Sequence, residues 1–289
     1  MQQRRLGSVQ VGAIGLGGMP MSVTGRPDTE RSIRTIHAAL DAGVTLIDTA
    51  DAYSLGSDDF GHNESLIARA LASYGGDTSA VLVATKGGHT RPGGSEWAQN
   101  GSPDYLRAAC DASLARLGVE AIGLYQYHRP DPRVPWAESI GALRELADAG
   151  KIRQAGISNA DPDQIRQAHE ILGDRLTAVQ NQFSPEFRSS EKELRLCAEL
   201  GLAFLPWSPL GGIGRAGDLG GRFRPFAEIA EARGVSPQQV CLAWQLSLAP
   251  VVVPIPGASR PETIRDSAAA ADLTLDEQEL AALNAVSPT

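Results

Sequence analysis

The chain has 289 residues, which is enough for two average domains or one large barrel. Hydrophobic residues make up 42% and charged residues 21%, the balance of an ordinary globular protein, which excludes a disordered or collagen-like chain. The net charge of −8 and the lack of a basic run argue against a general nucleic-acid binder.

Targeting and metal-binding signals are absent from the sequence pattern. No apolar run reaches the roughly 18 residues of a membrane-spanning helix, and the N-terminal MQQRRLGSVQ lacks the apolar core of a signal peptide. We therefore predict a cytoplasmic protein with no membrane partner. Cys110, Cys197 and Cys241 are odd in number and far apart, so we expect small core residues rather than disulfides or a metal cluster.

Short β-branched runs alternate along the chain with amphipathic helical patterns. The runs are almost continuously apolar, as in parallel strands buried on both faces. The predicted strands are 13–17, 44–50, 81–86, 122–128, 152–159, 177–182, 202–208 and 251–257. The predicted helices are 29–42, 62–74, 102–118, 135–150, 161–172, 189–200, 236–247, 261–270 and about 276–285.

Eight strand–helix units predict one α/β domain over residues 1–289, a single (β/α)8 barrel of the TIM type. Residues 6–12 add a predicted N-terminal β-hairpin, and the last helix is an extra C-terminal element. The alternative, an open doubly wound sheet, usually has fewer strands in a domain. Segments 87–101 and 211–221 are predicted loops at the carboxyl ends of the strands, where such barrels carry their function.

Four ionisable groups fall at or just after these strand ends: Asp48, Tyr53, Lys86 and His128. Lys86 ends an apolar run, so its ammonium needs a partner, and Asp48 on the adjacent strand is the natural one. A neighbouring cation lowers the pKa of a phenol, which would make Tyr53 a usable general acid. Considered separately, each has a structural explanation: Lys86 and Asp48 could form an ordinary ion pair, Tyr53 could be a surface tyrosine and His128 a core histidine. Together they favour a catalytic site.

Six separated motifs resemble those of the aldo-keto reductases, and the resemblance covers the chain from Leu6 to about Ala285. They are GVTLIDTADAY, VATKGG, LYQYHRPD, GKIRQAGISN, VQNQFS and PWSPLGG. The resemblance implies a (β/α)8 barrel that transfers hydride between NADP(H) and a carbonyl carbon. It also implies a catalytic tetrad of Asp48, Tyr53, Lys86 and His128. In that tetrad Tyr53 gives a proton to the carbonyl oxygen of the substrate, and His128 orients the carbonyl group.

The same resemblance implies a cofactor site at later strand ends. Ser158, Asn159 and Gln180 would hold the nicotinamide carboxamide, and Trp207 would stack on the ring. The segments expected near the phosphates and adenosine supply Ser208, Leu210, Gly211, Gly257, Ala258, Ser259, Arg260 and Asp266. Gly257 and Thr263 stand where one branch of the family has Lys and Arg, so NADP(H) is favoured while NAD(H) stays possible. The GLGG at 15–18 is a poor Rossmann match, because no helix opens after it.

The substrate pocket and the competing functions are less defined. Candidates for an apolar wall are Met19, Tyr53, Trp97, Tyr127 and Trp207. A short C-terminal tail predicts an open site for an aldehyde, ketone, sugar or pyridoxal-like substrate, in a monomer or weak homo-oligomer. One alternative is an NADP(H)-binding regulatory subunit with little turnover. Another is a metal-dependent barrel hydrolase, which needs a ligand cluster that Asp48 and His128 alone do not form.

Overall fold

Seven short strands form one parallel sheet in the computed structural model, which describes residues 1–93 and 96–287. In their order along the sheet, the strands are β3 (Leu16–Gly17), β4 (Leu46–Asp48), β5 (Leu82–Gly87), β8 (Ile122–Tyr127), β9 (Ile152–Ser158), β10 (Leu176–Gln180) and β11 (Ala203–Phe204). Because the strands are parallel, their carboxyl ends all lie at one edge.

The segment predicted as the eighth strand, 251–257, is not a regular strand. It makes isolated parallel bridges, from Val252 to Phe204 in β11 and from Gly257 to Gly17 in β3. The carbonyl oxygens of Pro254 and Pro256 accept from the amides of Gly15 and Gly17, both at 2.9 Å. Proline has no amide hydrogen to donate, so it interrupts a regular ladder. The segment nevertheless hydrogen-bonds to both edges of the seven-stranded sheet.

Helices separate the strands and cover the outer face of the sheet. All the predicted helices are present, with ends within about two residues of the predicted ones, the usual uncertainty of helix boundaries. They are α1 (Thr29–Asp41), α2 (His62–Ser73), α3 (Pro103–Leu117), α4 (Trp136–Asp148), α5 (Pro162–Leu172), α6 (Glu191–Leu200), α9 (Pro237–Leu248), α10 (Pro261–Ala269) and α11 (Glu277–Asn284). Across the described residues, no helix combines the length and apolarity that crossing a bilayer requires.

Two predicted loops contain secondary structure. Segment 87–101 carries a small antiparallel pair, β6 (His89–Thr90) with β7 (Ala98–Gln99). The glycine-rich segment 211–221 leads into α7 (Leu219–Arg222), and α8 (Arg224–Arg233) follows it. Glycines lower helix propensity and lie in α7 and the segment before it, whereas α8 contains none. Phe226 of α8 is fully buried with its ring edge-on to Trp244, at 5.9 Å between ring centroids. Tertiary packing therefore stabilises α8.

An N-terminal antiparallel pair covers one end of the sheet interior. Strand β1 (Gln3–Leu6) pairs with β2 (Val9–Gly12), and Leu6 and Val11 are fully buried in one cluster with Leu46 and Leu124 from the sheet. Elsewhere the three cysteines are buried and unpaired, as expected for small core residues. Polar groups lie at the opposite end of the sheet interior, where the strands have their carboxyl ends.

Two glycines allow a matched test of the packing beside Lys86. A Cβ added at Gly87, at the end of β5, would lie 2.1 Å from the hydroxyl oxygen of the fully buried Tyr125. A Cβ at Gly141, inside α4, would meet nothing within 4 Å. We expect Gly87→Ala to lower the free energy of unfolding by about 1–3 kcal/mol through overpacking. Gly141→Ala should raise it by roughly 0.5–1 kcal/mol through helix propensity.

Urea denaturation of both variants measures the two effects. The same chemical change is made twice, so a general intolerance of alanine cannot explain opposite signs. Equal stability of the two variants would contradict the tight packing described at the end of β5.

Candidate active site

One cavity of about 720 Å³ lies at the carboxyl ends of the parallel strands. Polar side chains enter it from four of the strands: Asp48 ends β4, His128 follows β8, Ser158 ends β9 and Gln180 ends β10. Trp207, after β11, lies on the same wall. The cavity is where the sequence predicted the site, because parallel strands bring their carboxyl ends together.

Lys86 is fully buried behind this cavity and makes three polar contacts. Its Nζ donates to Asp48 Oδ2 at 2.7 Å and to the carbonyl oxygen of Thr49 at 2.8 Å, and it lies 3.1 Å from Tyr53 Oη. An ammonium has three hydrogens, so these contacts use its full donor capacity. Asp48 Oδ1 accepts in turn from Gln180 Nε2 at 2.8 Å. The predicted Lys86–Asp48 pair therefore exists and directs the cation at the phenol of Tyr53.

The electrostatics of this pair correct one expectation. Burial alone lowers the pKa of Lys86, but Asp48 and Tyr53 more than offset it, so that the pKa of Lys86 is raised and the amine stays charged. Burial is also the largest influence on Tyr53, and it raises the pKa of the phenol despite the opposing charge of Lys86. Lys86 thus acts on the phenol in the predicted direction, but the net pKa of Tyr53 is raised rather than lowered. Tyr53 is protonated at neutral pH, the form that a proton donor needs.

His128 lies beside Tyr53, with 5.7 Å between ring centroids in an edge-on arrangement. Burial, followed by the charge of Lys86, lowers the pKa of His128 well below its usual value. The imidazole is therefore neutral at neutral pH, with one N–H donor. Its Nδ1 is buried and has no hydrogen-bond partner among the described residues.

Strand alternation decides which residues around His128 reach the cavity. Successive side chains of a strand point to opposite faces, so Gln126 and His128 share the inner face. Gln126 Nε2 lies 3.4 Å from Asp48 Oδ1. Tyr127 was expected on the cavity wall but does not line it. It lies on the outer face, where its hydroxyl accepts from the amide of Asp131 at 2.8 Å and its ring is 5.5 Å from that of Trp136.

Most predicted cofactor residues line the same cavity, and two of them have unusual backbones. Asn159 and Ser208 adopt φ of 58° and 51°, a left-handed conformation that is uncommon outside glycine and often found at functional sites. Asn159 Nδ2 donates to the carbonyl oxygen of His128 at 3.0 Å. The predicted cofactor residues on the cavity wall are Ser158, Asn159, Gln180, Trp207, Ser208, Leu210, Gly257, Ala258, Ser259 and Arg260.

Two predicted cofactor positions do not line the cavity. Asp266 accepts from Ser236 Oγ at 2.7 Å and from Gln239 Nε2 at 2.6 Å, so both carboxylate oxygens are engaged at the start of α9. Gly211, with a φ of +94°, lies between Leu210 and Gly212, which do line it. The structure thus gives Asp266 a helix-supporting contact, and the cofactor assignment of both residues stays a prediction.

The residues of this cavity fit a nicotinamide dinucleotide. The hydroxyl and amide groups of Ser158, Asn159 and Gln180 offer donors and acceptors of the kind that a carboxamide requires. Trp207 presents a flat ring, and its buried Nε1 has no partner among the described residues. Arg260 is exposed at the N-cap position of α10, and a helix N-terminus with a nearby guanidinium suits a phosphate.

Several cavity residues were not identified from the sequence. His89 in β6 lies between two rings, with centroids 4.7 Å from Trp97 and 4.7 Å from His128. Arg129, directly after His128, and Ile213 in the glycine-rich segment also line the wall. Their position in the sequence could have indicated them, because residues within a few positions of the carboxyl end of a strand lie at the same edge of the sheet. Met19 and Trp97, expected on the substrate wall, do line the cavity.

Comparison with known proteins agrees with this architecture. The model of the aldo/keto reductase family matches residues 13–288. A 6-dehydroglucose reductase of Novosphingobium aromaticivorans is 34% identical over 287 residues, covering 96% of this chain and 92% of that protein. A probable aldo-keto reductase 1 of Glycine max is 33% identical over 319 residues, covering 97% and 88%.

Solved structures show the same similarity. An aldo/keto reductase of Klebsiella pneumoniae, in complex with NADP and acetate, has a TM-score of 0.80 and 29% identity, covering 99% of this chain and 95% of that one. The fold, a barrel-like α/β sheet, and the relatives are those of an oxidoreductase. The chain belongs to the aldo/keto reductase family, which confirms the resemblance seen in its motifs.

Proposed function

We propose that this protein is an NADP(H)-dependent reductase that converts the carbonyl group of an aldehyde or ketone into an alcohol. The observation that carries the proposal is the buried Lys86, which contacts both Asp48 and Tyr53 at the base of the cavity. A structural ion pair would not need a phenol at 3.1 Å on the side that opens to a cavity. In its finer form the proposal includes closure of the sheet into a (β/α)8 barrel by segment 251–257.

The proposed roles follow from protonation states and contacts. Tyr53, protonated at neutral pH, donates its proton to the carbonyl oxygen as general acid. The phenolate left behind is stabilised by Lys86 Nζ, whose charge Asp48 maintains. Neutral His128 donates one hydrogen bond that orients the carbonyl group. Bound NADPH would supply the hydride.

The cofactor and substrate parts of the proposal draw on the cavity wall and on the relatives. Ser158, Asn159 and Gln180 hold the carboxamide, Trp207 stacks on the ring, and Arg260 binds the adenosine phosphate. The reductase of Novosphingobium acts on 6-dehydroglucose, so sugar carbonyls join aromatic and pyridoxal-like aldehydes as candidate substrates. The single domain, the cytoplasmic location and the monomeric or weakly associated state stay predictions from the sequence.

A direct assay tests the proposed function. The protein is mixed with NADPH and a panel of aromatic, sugar and pyridoxal-like aldehydes, and the loss of NADPH absorbance is followed. Turnover of at least one carbonyl compound is expected. Tight NADPH binding without turnover of any compound would instead favour the regulatory-subunit alternative.

Cofactor choice depends on one cation in this scheme. Arg260 lines the cavity and forms no ion pair within residues 1–93 and 96–287. If it binds the 2′-phosphate, Arg260→Ala should weaken NADPH binding by about 1.5–3 kcal/mol, the magnitude of a hydrogen bond to a charged group. NADH binding should barely change. Fluorescence titration with both cofactors measures the difference.

Arg265 offers a matched control for this experiment. It lies on the same helix, is exposed and does not line the cavity. Arg265→Ala makes the same charge change and should leave both affinities unaltered. Equal losses for NADPH and NADH in Arg260→Ala would remove Arg260 from the phosphate site.

A further inference from the structure

Arg129 is a cavity cation that the proposed mechanism does not use. It follows His128 directly, is half-buried and lines the cavity beside the tetrad. Its side chain has no ion-pair partner in the described part of the chain. The polar contact that it makes there is weak, from Nη2 to Asn159 Oδ1 at 3.4 Å. A half-buried guanidinium with so little compensation is expected to attract an anion.

The charge balance of the cavity points the same way. Among the described residues on its wall, Asp48 is the only acid, and its two oxygens are engaged by Lys86 and Gln180. The two arginines on that wall are Arg129, near the tetrad, and Arg260, by the start of α10. In a chain of net charge −8 this is a local concentration of uncompensated positive charge.

Arg129 lies on the part of the wall that carries His128, because its Nη2 contacts Asn159, whose Nδ2 donates to the carbonyl oxygen of His128. Its charge also helps to lower the pKa of two imidazoles on that wall: at His89 it comes directly after burial, and at His128 it follows burial, Lys86 and His89. The cavity wall also has apolar members, with His89 at 4.7 Å from Trp97 between ring centroids and with Met19 and Ile213 on the lining. This compartment would suit a body that is flat or apolar and carries one anionic group.

We propose that Arg129 binds the carboxylate of the carbonyl substrate, so that the enzyme prefers aldehydes and ketones that carry a carboxylate over their neutral analogues. The inference rests on the proposed reductase function and narrows its substrate class. A guanidinium presents paired N–H donors that match a carboxylate, whereas a lysine offers a point charge. Arg129 is a specificity residue in this scheme, and the proton donor remains Tyr53.

Binding is measured without turnover to test this. The protein is titrated by calorimetry with para-(hydroxymethyl)benzoate, the alcohol product of para-carboxybenzaldehyde, and with its neutral methyl ester, with and without NADPH. The wild type should bind the carboxylate at least about tenfold more tightly than the ester. Arg129→Gln should abolish that preference and leave the affinity for the ester unchanged. Arg129→Lys should keep part of it.

Controls separate this role from a structural one. Arg166→Gln, on the exposed face of α5, makes the same charge change away from the cavity and should keep the wild-type preference. If Arg129 only positioned Asn159, its loss would weaken NADPH and both benzoate ligands alike. Equal affinities for acid and ester in the wild type would overturn the inference.

Turnover distinguishes this inference from the function on which it rests. In kcat/KM, para-carboxybenzaldehyde should exceed its methyl ester by about tenfold or more in the wild type. Reduction of both at equal efficiency would overturn the role of Arg129 and leave the reductase intact. Failure to reduce both of them and every other carbonyl compound of the panel would overturn the reductase proposal, and the titrations without NADPH would still decide whether Arg129 binds a carboxylate.

Discussion

Tyr53→Phe is expected to lower the rate of carbonyl reduction by about 10²–10⁴-fold, the usual contribution of general acid catalysis. The substitution removes only the hydroxyl oxygen that lies 3.1 Å from Lys86 Nζ. The ring remains, so the edge-on contact with His128 is kept. NADPH affinity should stay near the wild-type value, because the carboxamide, ring and phosphate contacts involve other residues. Single-turnover kinetics and cofactor titration measure the two quantities separately.

A matched hydroxyl deletion controls for effects on folding. Tyr74 Oη donates to Asp41 Oδ1 at 2.8 Å on the protein surface, and Tyr74 has no role in the proposed site. Tyr74→Phe should therefore reduce carbonyl compounds at the wild-type rate. Near-normal turnover by Tyr53→Phe would mean that the proton reaches the carbonyl oxygen from another group, and the tetrad assignment would be wrong.

The sequence predicted the position of the cavity well, because chain order and strand direction decide where the strand ends meet. Apolar runs ending in Asp48, Lys86 and Gln180 had to meet at one edge of a parallel sheet, and the structure brings them within hydrogen-bond distance. The ends of the helices could also be predicted from the sequence. Ser102 accepts from the amide of Tyr105 and Gly118 ends α3 with a φ of 68°, as their residue types indicate.

The sequence was less informative about properties that depend on tertiary structure, such as the direction of a side chain and its burial. Tyr127 was predicted as a candidate for the apolar cavity wall, but strand alternation turns it outward onto Trp136. The pKa of Tyr53 depends on burial, which a sequence does not show, and burial outweighed the charge of Lys86. The sequence also did not show the contacts of Asp266 with Ser236 and Gln239, and its cofactor assignment stays a prediction.

Lys86→Met is expected to abolish carbonyl reduction at least as completely as loss of the general acid, by about 10²–10⁴-fold or more. Methionine cannot donate to Asp48 or stabilise the phenolate of Tyr53. It also leaves a buried carboxylate without its cation, which typically costs about 3–5 kcal/mol of folding stability. Lost activity in this variant alone would therefore not separate catalysis from folding.

The double variant Lys86→Met/Asp48→Asn resolves that ambiguity. It removes the unpaired charge together with its partner, so thermal stability should recover towards the wild type while activity stays lost. Lys86 lowers the pKa of Tyr53 through its charge and its hydrogen bond, and the charge of Asp48 raises that pKa by less, so removal of both groups raises the pKa of the phenol further. In any remaining activity, reduction should fall off at higher pH than in the wild type, because the protonated phenol persists longer. Oxidation of the alcohol, which needs the phenolate, should begin only at higher pH.

Lys86→Arg tests whether charge alone is sufficient. The pocket around Lys86 Nζ is closed by Asp48 Oδ2 and the carbonyl oxygen of Thr49, at 2.7 and 2.8 Å. A guanidinium is wider and directs its donors differently, so it cannot repeat these contacts and also approach Tyr53 Oη. We expect a strongly impaired enzyme. Full activity of Lys86→Arg, or a double variant that keeps both its stability and its rate, would show that Lys86 only balances the charge of Asp48 and that proton transfer proceeds without it.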